Sequence, residues 1–308
     1  IKLDEYSKNC KKKGDPLSFE VAGPRKKIYF DPSKTKAGIV TCGGLCPGIN
    51  DVIRGLVNIM WYSYGVRNIL GFRFGFQGIA PAYRHQPLEL TPDVVRDIHK
   101  QGGSILASSR GPQDVEAMVD NLEHMNVNVL FTIGGDGTMR GALEIHREAQ
   151  RRKLNLAVVG IPKTIDNDVC FIEKSFGFET AFSAAVSAIR GAHTEAEGAP
   201  NGVGVVKLMG RHSGFIAATS TLAMSDVNFC LIPEIPFKLE GANGLFDLLE
   251  KRLAARHHAV IVVAEGAGQD LMKKKSQEAK TDQSGNLRLE DIGVFLVEEI
   301  KNFLKTMD

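Results

Sequence analysis

Two carboxylates stand two residues apart in the segment 161–168, which reads Ile-Pro-Lys-Thr-Ile-Asp-Asn-Asp and ends an apolar run. We expect Asp166 and Asp168 to point the same way on an extended loop, with Lys163 three residues before the first. A lysine at that distance could set one carboxylate as a base while the other stays charged. The spacing therefore favours the movement of a proton.

A glycine-rich segment, Gly-Gly-Asp-Gly-Thr at 134–138, follows the apolar run 127–133 and opens a predicted helix. Glycines let the backbone approach phosphates, and a helix N-terminus favours anions. The carboxylate of Asp136 is a candidate ligand for Mg²⁺. Together with the carboxylate pair, this segment predicts phosphoryl transfer.

Two other positions could meet an anion. The turn at 43–48 carries three glycines between a predicted strand and a predicted helix, a pattern that many α/β proteins share. Arg110 follows a short predicted strand, where its guanidinium could bind phosphate with two hydrogen bonds or form an ordinary surface ion pair. The residues alone leave these alternatives open.

The elements that must position these residues alternate along the chain. Apolar runs predict strands at 37–42, 68–72, 127–133, 156–161, 203–208, 229–232 and 259–264. Helical spacing predicts helices at 49–64, 92–100, 113–125, 138–152 with Thr138 as its cap, 179–192 and 292–304. Residues 268–287 have the composition of a flexible excursion. Such alternation predicts an α/β fold of doubly wound, mostly parallel sheets with helices on both faces, whose ligands bind at the carboxyl ends of the strands.

The composition, 43% hydrophobic and 24% charged over 308 residues, is that of an ordinary soluble protein. A net charge of +2 without a basic stripe gives no reason to expect a nucleic acid, and no apolar run predicts a membrane span. The five cysteines are scattered and odd in number, which indicates a reducing compartment rather than a disulfide framework. The chain begins at Ile1, so a targeting segment could precede it.

Four motifs in this order resemble the phosphofructokinase family: Gly-Gly-Leu-Cys-Pro-Gly-Ile-Asn at 43–50, Gly-Gly-Asp-Gly-Thr at 134–138, Pro-Lys-Thr-Ile-Asp-Asn-Asp at 162–168 and Met-Gly-Arg at 209–211. The resemblance runs from about Lys27 to the end of the chain. Within the family, the sequence is most similar to the plant-type ATP-dependent branch, to which the trypanosomatid enzymes are close. It implies a two-lobed fold with an extension at 1–35, a nucleotide-binding lobe at 36–160 and a sugar-phosphate-binding lobe at 161–308.

The resemblance also implies a role for each matched residue. Asp166 corresponds to the base that takes the proton from the C1 hydroxyl of fructose 6-phosphate, Asp168 to its neighbour near the metal, and Thr164 to a contact of the transferring phosphoryl group. The implied catalytic residues are Asp166, Asp168, Lys163, Thr164 and Arg211. The implied ATP-binding residues are Gly44, Arg110, Gly111, Gly135, Asp136, Gly137 and Thr138, with Asp136 as the Mg²⁺ ligand. The implied substrate-binding residues are Thr164, Ile165, Asp166, Met209, Gly210, Arg211 and Glu265.

The expected function is ATP-dependent phosphorylation of fructose 6-phosphate to fructose 1,6-bisphosphate, by a homo-oligomer (dimer or tetramer) that uses Mg²⁺. A pyrophosphate-dependent enzyme is the first alternative, and Gly137 discriminates because an aspartate there would fill and repel the space of the nucleotide α-phosphate. A non-catalytic regulatory subunit is the second, against which Asp136, Lys163, Asp166 and Asp168 are all competent residues. A dinucleotide-binding oxidoreductase is excluded because the first glycine turn lacks G-x-G-x-x-G.

The chain departs from the family at its end. The family continues past the equivalent of Asp308 into a segment whose Tyr and Arg hold the sugar 6-phosphate, and nothing in this chain matches that segment. We therefore expect an incomplete sugar-phosphate site in these 308 residues, which leaves open whether they are a fragment. A cytoplasmic location is expected, with a plastid or glycosome as the alternative.

Overall fold

The computed structural model describes residue 23, residues 25–272 and residues 288–306. The chain divides into two compact units, residues 1–31 and residues 32–308. The described part of the first unit contains no helix or strand, and the rings of Tyr29 and Phe30 meet edge to face with centroids 5.0 Å apart. Most of the predicted extension and most of the predicted excursion at 268–287 lie outside the described residues.

The first sheet of the second unit has five strands in the order β3-β2-β1-β4-β5. All neighbours are parallel except the short β3, which pairs antiparallel with β2 at the edge. The strands are β1 (Lys36–Thr41), β2 (Asn68–Phe72), β3 (Leu88–Glu89), β4 (Val129–Gly134) and β5 (Ala157–Pro162). The central β1 is buried along nearly its whole length, which explains its continuous apolar sequence.

Helices cover both faces of this sheet. Because side chains alternate along a strand, Ile39 packs on one face against α1 (Ile49–Asn58), while Val40 packs on the other. That other face carries α2 (Val115–His124) and α3 (Asp136–Arg151). The side chain of Asp114 caps α2 by accepting a hydrogen bond from the Ala117 amide at 3.1 Å.

The second sheet has three parallel strands in the order β6-β8-β7: β6 (Gly202–Leu208), β7 (Phe229–Leu231) and β8 (His258–Ala264). One face packs on α4 (Phe178–Glu197) and α5 (Phe215–Ala223), the other on α6 (Leu245–Arg256) and α8 (Ile292–Leu304), with the short α7 (Gln269–Met272) nearby. The two sheets confirm the predicted doubly wound, mostly parallel α/β fold. No helix in the described ranges is long and apolar enough to cross a membrane.

Several predicted helices differ from the structure, and α4 runs five residues past its predicted end at 192. The segment predicted as a helix at 92–100 forms turns and a 3₁₀-helix at Ile98–Lys100 only, because Val94, Val95 and Asp97 disfavour a continuous helix. The helix predicted at 49–64 continues past α1 as a π-helix at Ile59–Tyr64. Helix α3 begins two residues before the prediction: Gly135 is its N-cap, and Thr138 lies buried in its first turn.

Helix α4 and strand β6 approach each other closely at Gly204. A Cβ at that position would lie 2.8 Å from the carbonyl oxygen of Ala192. We therefore expect Gly204→Ala to lower the free energy of unfolding by about 1–3 kcal/mol. Gly191 lies on α4 next to Ala192, and a Cβ added there would meet no atom within 4 Å. Gly191→Ala should therefore be neutral or stabilising by up to about 1 kcal/mol.

Urea denaturation of the parent and both variants, followed by circular dichroism, measures this difference. Equal midpoints for Gly204→Ala and Gly191→Ala would show that α4 does not depend on close approach to β6.

Candidate active site

The loops that follow β1, β4 and β5 begin at one edge of the first sheet. The register pairs Thr41 with Ile133 and Gly134 with Pro162 at the ends of these strands. Two hydrogen bonds continue the ladder beyond the strands, from the Cys42 amide to the Ile133 carbonyl and from the Lys163 amide to the Gly134 carbonyl, both at 2.9 Å. Because the loops start from neighbouring strand ends, they meet around one space.

That space is a cleft of about 690 Å³. Every residue predicted to bind ATP lines it: Gly44, Arg110, Gly111, Gly135, Asp136, Gly137 and Thr138. Lys163 and Arg211 line it as well, so the structure brings a predicted catalytic lysine and an arginine from the second sheet to the same cleft.

The floor of the cleft is the first turn of α3. The Thr138 amide bonds the Gly135 carbonyl at 2.9 Å, and the Thr138 side chain fills the space beside Gly134 where a Cβ would sit. Gly137 is exposed, and a Cβ there would meet no atom within 4 Å. The turn therefore presents free helix amides, an exposed Asp136 carboxylate and unfilled space at Gly137.

Cationic side chains line the same cleft. A Cβ on Gly44 would lie 3.6 Å from Arg110 Nη2, so the guanidinium lies directly beside the glycine turn. The Gly43 amide bonds the Ser109 carbonyl at 3.1 Å, and the Ser108 hydroxyl bonds the Gly43 carbonyl at 2.6 Å, which joins the two loops. Burial lowers the pKa of Lys163, and the positive charge of Arg110 adds to that effect. An anion between them would relieve this repulsion.

Asp166 is half-buried where the first sheet meets the segment after β6. The Arg211 amide donates to Asp166 Oδ2 at 3.5 Å, and the Ser213 hydroxyl donates to the Asp166 carbonyl at 2.9 Å. Asp166 Oδ1 is buried and has no hydrogen-bond partner within the described part of the chain. Burial raises the pKa of Asp166, and the nearby charges of Asp168 and Glu265 raise it further. A carboxylate with a raised pKa and one unpaired oxygen is suited to accept a proton.

The sequence predicted an extended loop around Asp166, but the loop is bent. It bends at 165–166, and Asn167 has a left-handed backbone with φ of 57°. The side chain of Asn167 holds this shape: its Oδ1 accepts from the Ser175 amide at 2.7 Å and its Nδ2 donates to the Glu173 carbonyl at 3.2 Å. Consequently the two carboxylates have different surroundings, one half-buried and the other exposed.

Thr164 connects these two carboxylates. Its hydroxyl donates to Asp168 Oδ1 at 2.6 Å and accepts from the Asp166 amide at 3.1 Å. The side chain of Ile165 packs instead into the core beneath α1, so only its backbone is left for a ligand.

The remaining predicted substrate-binding residues follow strands of the second sheet. The Glu265 amide bonds the Leu208 carbonyl at 2.9 Å, and the Gly266 amide bonds the Gly210 carbonyl at 3.0 Å. Gly210 has φ of 138°, a conformation that favours glycine, and a Cβ there would collide with the Ser213 carbonyl. Met209 is 52% exposed beside it. The loops after β6 and β8 are therefore joined to each other and reach Asp166 through Arg211 and Ser213.

Several residues of the site were missed from the sequence. Arg140 and Glu144 line the cleft four and eight residues after Asp136, a helical spacing that could have revealed them. The Ser213 hydroxyl donates to the carbonyl of Asp166, which lies 47 residues earlier in the chain. No local sequence signal predicts a contact between residues so far apart. Cys42 also lines the cleft, and burial raises the pKa of its thiol to about 12, so it stays protonated.

The phosphofructokinase family model matches residues 36–304. The chain belongs to the phosphofructokinase family. Among curated relatives of this family, it is 54% identical over 302 residues to the ATP-dependent 6-phosphofructokinase of Borreliella burgdorferi, covering 95% of this chain and 67% of that protein. It is 53% identical to ATP-dependent 6-phosphofructokinase 7 of Arabidopsis thaliana and 51% identical to the enzyme of Trypanosoma cruzi, in each case covering 94% of this chain and 59% of the relative.

The predicted similarity to plant and trypanosomatid phosphofructokinases is thereby confirmed. The chain spans between 59% and 67% of the length of these three relatives. Among solved structures, Pichia pastoris phosphofructokinase in the T-state superposes with a TM-score of 0.67 at 25% identity, covering 84% of this chain and 29% of that one. A pyrophosphate-dependent phosphofructokinase from Marinobacter aquaeolei superposes with a TM-score of 0.66 at 23% identity, covering 76% and 61%, and shows the common fold.

The raised pKa of Asp166 predicts a pH-dependent stability. Because the folded protein holds this proton more tightly than the unfolded chain, the parent should lose stability relative to Asp166→Asn as the pH rises from 3.8 through the raised folded pKa. Near neutral pH the variant should be at least as stable as the parent, since an amide oxygen can still accept from the Arg211 amide. Denaturant midpoints between about pH 4 and about pH 8 measure the difference.

Asp93→Asn is the control, because the Asp93 side chain is 94% exposed. A variant at Asp166 that is less stable than the parent by the same amount at every pH would contradict the assignment of a buried, destabilising charge.

Proposed function

We propose that the protein transfers the γ-phosphoryl group of ATP to the C1 hydroxyl of fructose 6-phosphate. The observation that carries this proposal is the half-buried Asp166, with one oxygen unpaired, in the loop that begins beside a cleft of helix amides and cations. The relatives that share about half of its residues bear the name ATP-dependent 6-phosphofructokinase, which supports the same substrates.

In the proposed reaction, Asp166 accepts the proton of the C1 hydroxyl as its oxygen forms a bond to the γ-phosphorus. The bond from that phosphorus to the bridging oxygen breaks, and ADP leaves with the electron pair. Lys163, Arg110 and Arg211 line the cleft, and their positive charges would stabilise the oxygens of the transferring group. The hydrogen bond from Thr164 to Asp168 orders the loop that carries the base.

The residues present fit a magnesium ion. Asp136 offers one exposed carboxylate at the mouth of the cleft, and Mg²⁺ commonly binds one or two carboxylates together with substrate phosphates and water. When bound, Mg²⁺ would neutralise charge on the nucleotide phosphates. We propose Asp136 as the residue that would hold it.

The same geometry supports two lobes that bind different substrates. The cleft lies mainly on the first sheet, so we propose residues 36–160 as the nucleotide-binding lobe. Met209, Gly210, Arg211 and Glu265 follow strands of the second sheet, so we propose residues 161–308 as the sugar-phosphate-binding lobe. Residues 1–35 are proposed as an extension.

We also propose that the protein forms a homo-oligomer and is located in the cytoplasm. Phe215 and Leu222 lie seven residues apart on one side of α5 and are 49% and 87% exposed, an apolar surface of the kind that subunit contacts cover. An Arabidopsis relative that is 53% identical is named chloroplastic, which makes an organelle the alternative location. Light scattering and cell fractionation test these two points.

The reaction is tested by offering the purified protein, expressed from its complete natural gene, fructose 6-phosphate with either ATP or pyrophosphate and following fructose 1,6-bisphosphate. We expect product with ATP. Product with pyrophosphate alone would overturn the choice of donor, and no product with either would overturn the activity.

Asp166→Asn should lower kcat by at least about a hundredfold, the lower range for general-base contributions, and should leave nucleotide affinity nearly unchanged. The amide has the size of the carboxylate but cannot accept the hydroxyl proton. Steady-state kinetics and calorimetry with ATP measure the two quantities, with Asp93→Asn as the control. Turnover within about tenfold of the parent would show that another group is the base.

Gly137→Asp should lower the ratio of ATP turnover to pyrophosphate turnover. The new side chain would place a Cβ and a negative charge in the open space beside the nucleotide α-phosphate, a group that pyrophosphate lacks. Gly191→Asp is the matched control, because that helical glycine is also open but lies outside the cleft. If the ratio stays unchanged in Gly137→Asp, donor choice depends on another residue.

A further inference from the structure

Two histidines and a glutamate form a cluster at the edge of the second sheet opposite the active site. His193 and Glu197 lie on α4, and His258 is the first residue of β8. Potential ligand atoms of these three side chains all lie within 4.8 Å of one another. Since β8 is seven residues long and the active-site loops follow its other end, the cluster lies about 20 Å from them.

The fold brings these residues together. His193 and Glu197 are one turn apart on the same helix, and the close approach of α4 to β6 at Gly204 brings that helix down onto the sheet. His258 pairs with Gly202 at the start of the parallel ladder. Asp226 arrives from the turn before β7, with its Oδ1 3.9 Å from His193 Nε2.

His258 makes a hydrogen bond of the kind that metal-binding histidines make. Its Nδ1 lies 3.0 Å from the carbonyl oxygen of Arg256, and since a carbonyl only accepts, Nδ1 carries the proton. In the neutral ring the lone pair is then on Nε2. Histidines that bind metals commonly donate their other nitrogen to a backbone carbonyl in this way.

The charges favour a cation. His193 Nε2 lies 3.5 Å from Glu197 Oε2 and 3.9 Å from Asp226 Oδ1, so two carboxylates face one imidazole nitrogen. A protonated His193 offsets only one of these negative charges, whereas a divalent ion offsets both. The His193 side chain is only 18% exposed, which shields the site from water on one side.

We propose that His193, Glu197 and His258, with Asp226 as the fourth ligand, form a Zn²⁺ site that fastens α4 to the start of β8. Two imidazole nitrogens with carboxylate oxygens suit Zn²⁺, whereas Mg²⁺ and Ca²⁺ prefer oxygen ligands alone. Bonds of about 2.1 Å in a tetrahedron require about 3.4 Å between ligand atoms. The His193–Glu197 spacing is already 3.5 Å, and the Glu197 side chain, 56% exposed, is free to adjust.

The test uses untagged full-length protein, stripped of metal and then held in excess Mg²⁺ so that the active site does not compete. Calorimetry with Zn²⁺ should give one site per chain, and Co²⁺ should show the visible absorption of a tetrahedral nitrogen and oxygen site. The melting temperature should rise with Zn²⁺. Glu197→Gln and His258→Asn should each weaken Zn²⁺ binding at least about tenfold and abolish that rise.

Two neighbours provide matched controls: Glu195→Gln on the exposed part of α4 and His257→Asn beside His258. Both should bind Zn²⁺ like the parent. The site is overturned if the parent binds no Zn²⁺ in excess Mg²⁺, if both ligand variants bind it undiminished, or if the Co²⁺ spectrum shows the charge-transfer band of a cysteine ligand.

Discussion

The parallel pairing of β1, β4 and β5 is the constraint on which the site depends. Its register places three strand ends side by side, and the hydrogen bonds from Cys42 to Ile133 and from Lys163 to Gly134 carry that register into the loops. A slip of one residue would turn each strand's buried side chains to the other face. The packing of both faces therefore fixes, at the same time, where the glycine turn, the start of α3 and the carboxylate loop meet.

Asp166 is half-buried and is held by two residues that follow β6 of the second sheet. The amide of Arg211 and the hydroxyl of Ser213 bond this residue but leave one carboxylate oxygen unpaired. A more complete set of partners would lower the pKa and reduce the capacity to take a proton. If Asp166 is the base that we propose, the site exchanges stability for reactivity, as is common where proteins do chemistry.

Local sequence signals predicted most strands and failed where tertiary contacts decide. The apolar run at β8 needs no partner to be recognised, because a strand buried on both faces is apolar throughout. The two-residue β3 is too short to give a signal, whereas α6 was overlooked although its buried Leu245, Leu249 and Leu253 lie at helical spacing. The segment 92–100 shows the opposite failure, because Val95 and Ile98 have helical spacing but the chain forms turns there. The predicted ATP-binding residues gather in one cleft because parallel strand ends converge, whereas the bond from Ser213 to Asp166 joins two loops that no sequence pattern connects.

Helix α4 runs from the glycine turn of the active site to the histidine cluster at the other end of the second sheet. It begins at Phe178, directly after Gly177, which packs against Cys46 in the glycine turn of the active site. It ends at Glu197 in the histidine cluster, and a helix of 20 residues is about 30 Å long. Between these ends the helix packs on β8, with Ile189 in one buried cluster with Val260 and Val262. The packing of α4 on the second sheet therefore helps to place the glycine turn that lines the cleft of the first sheet.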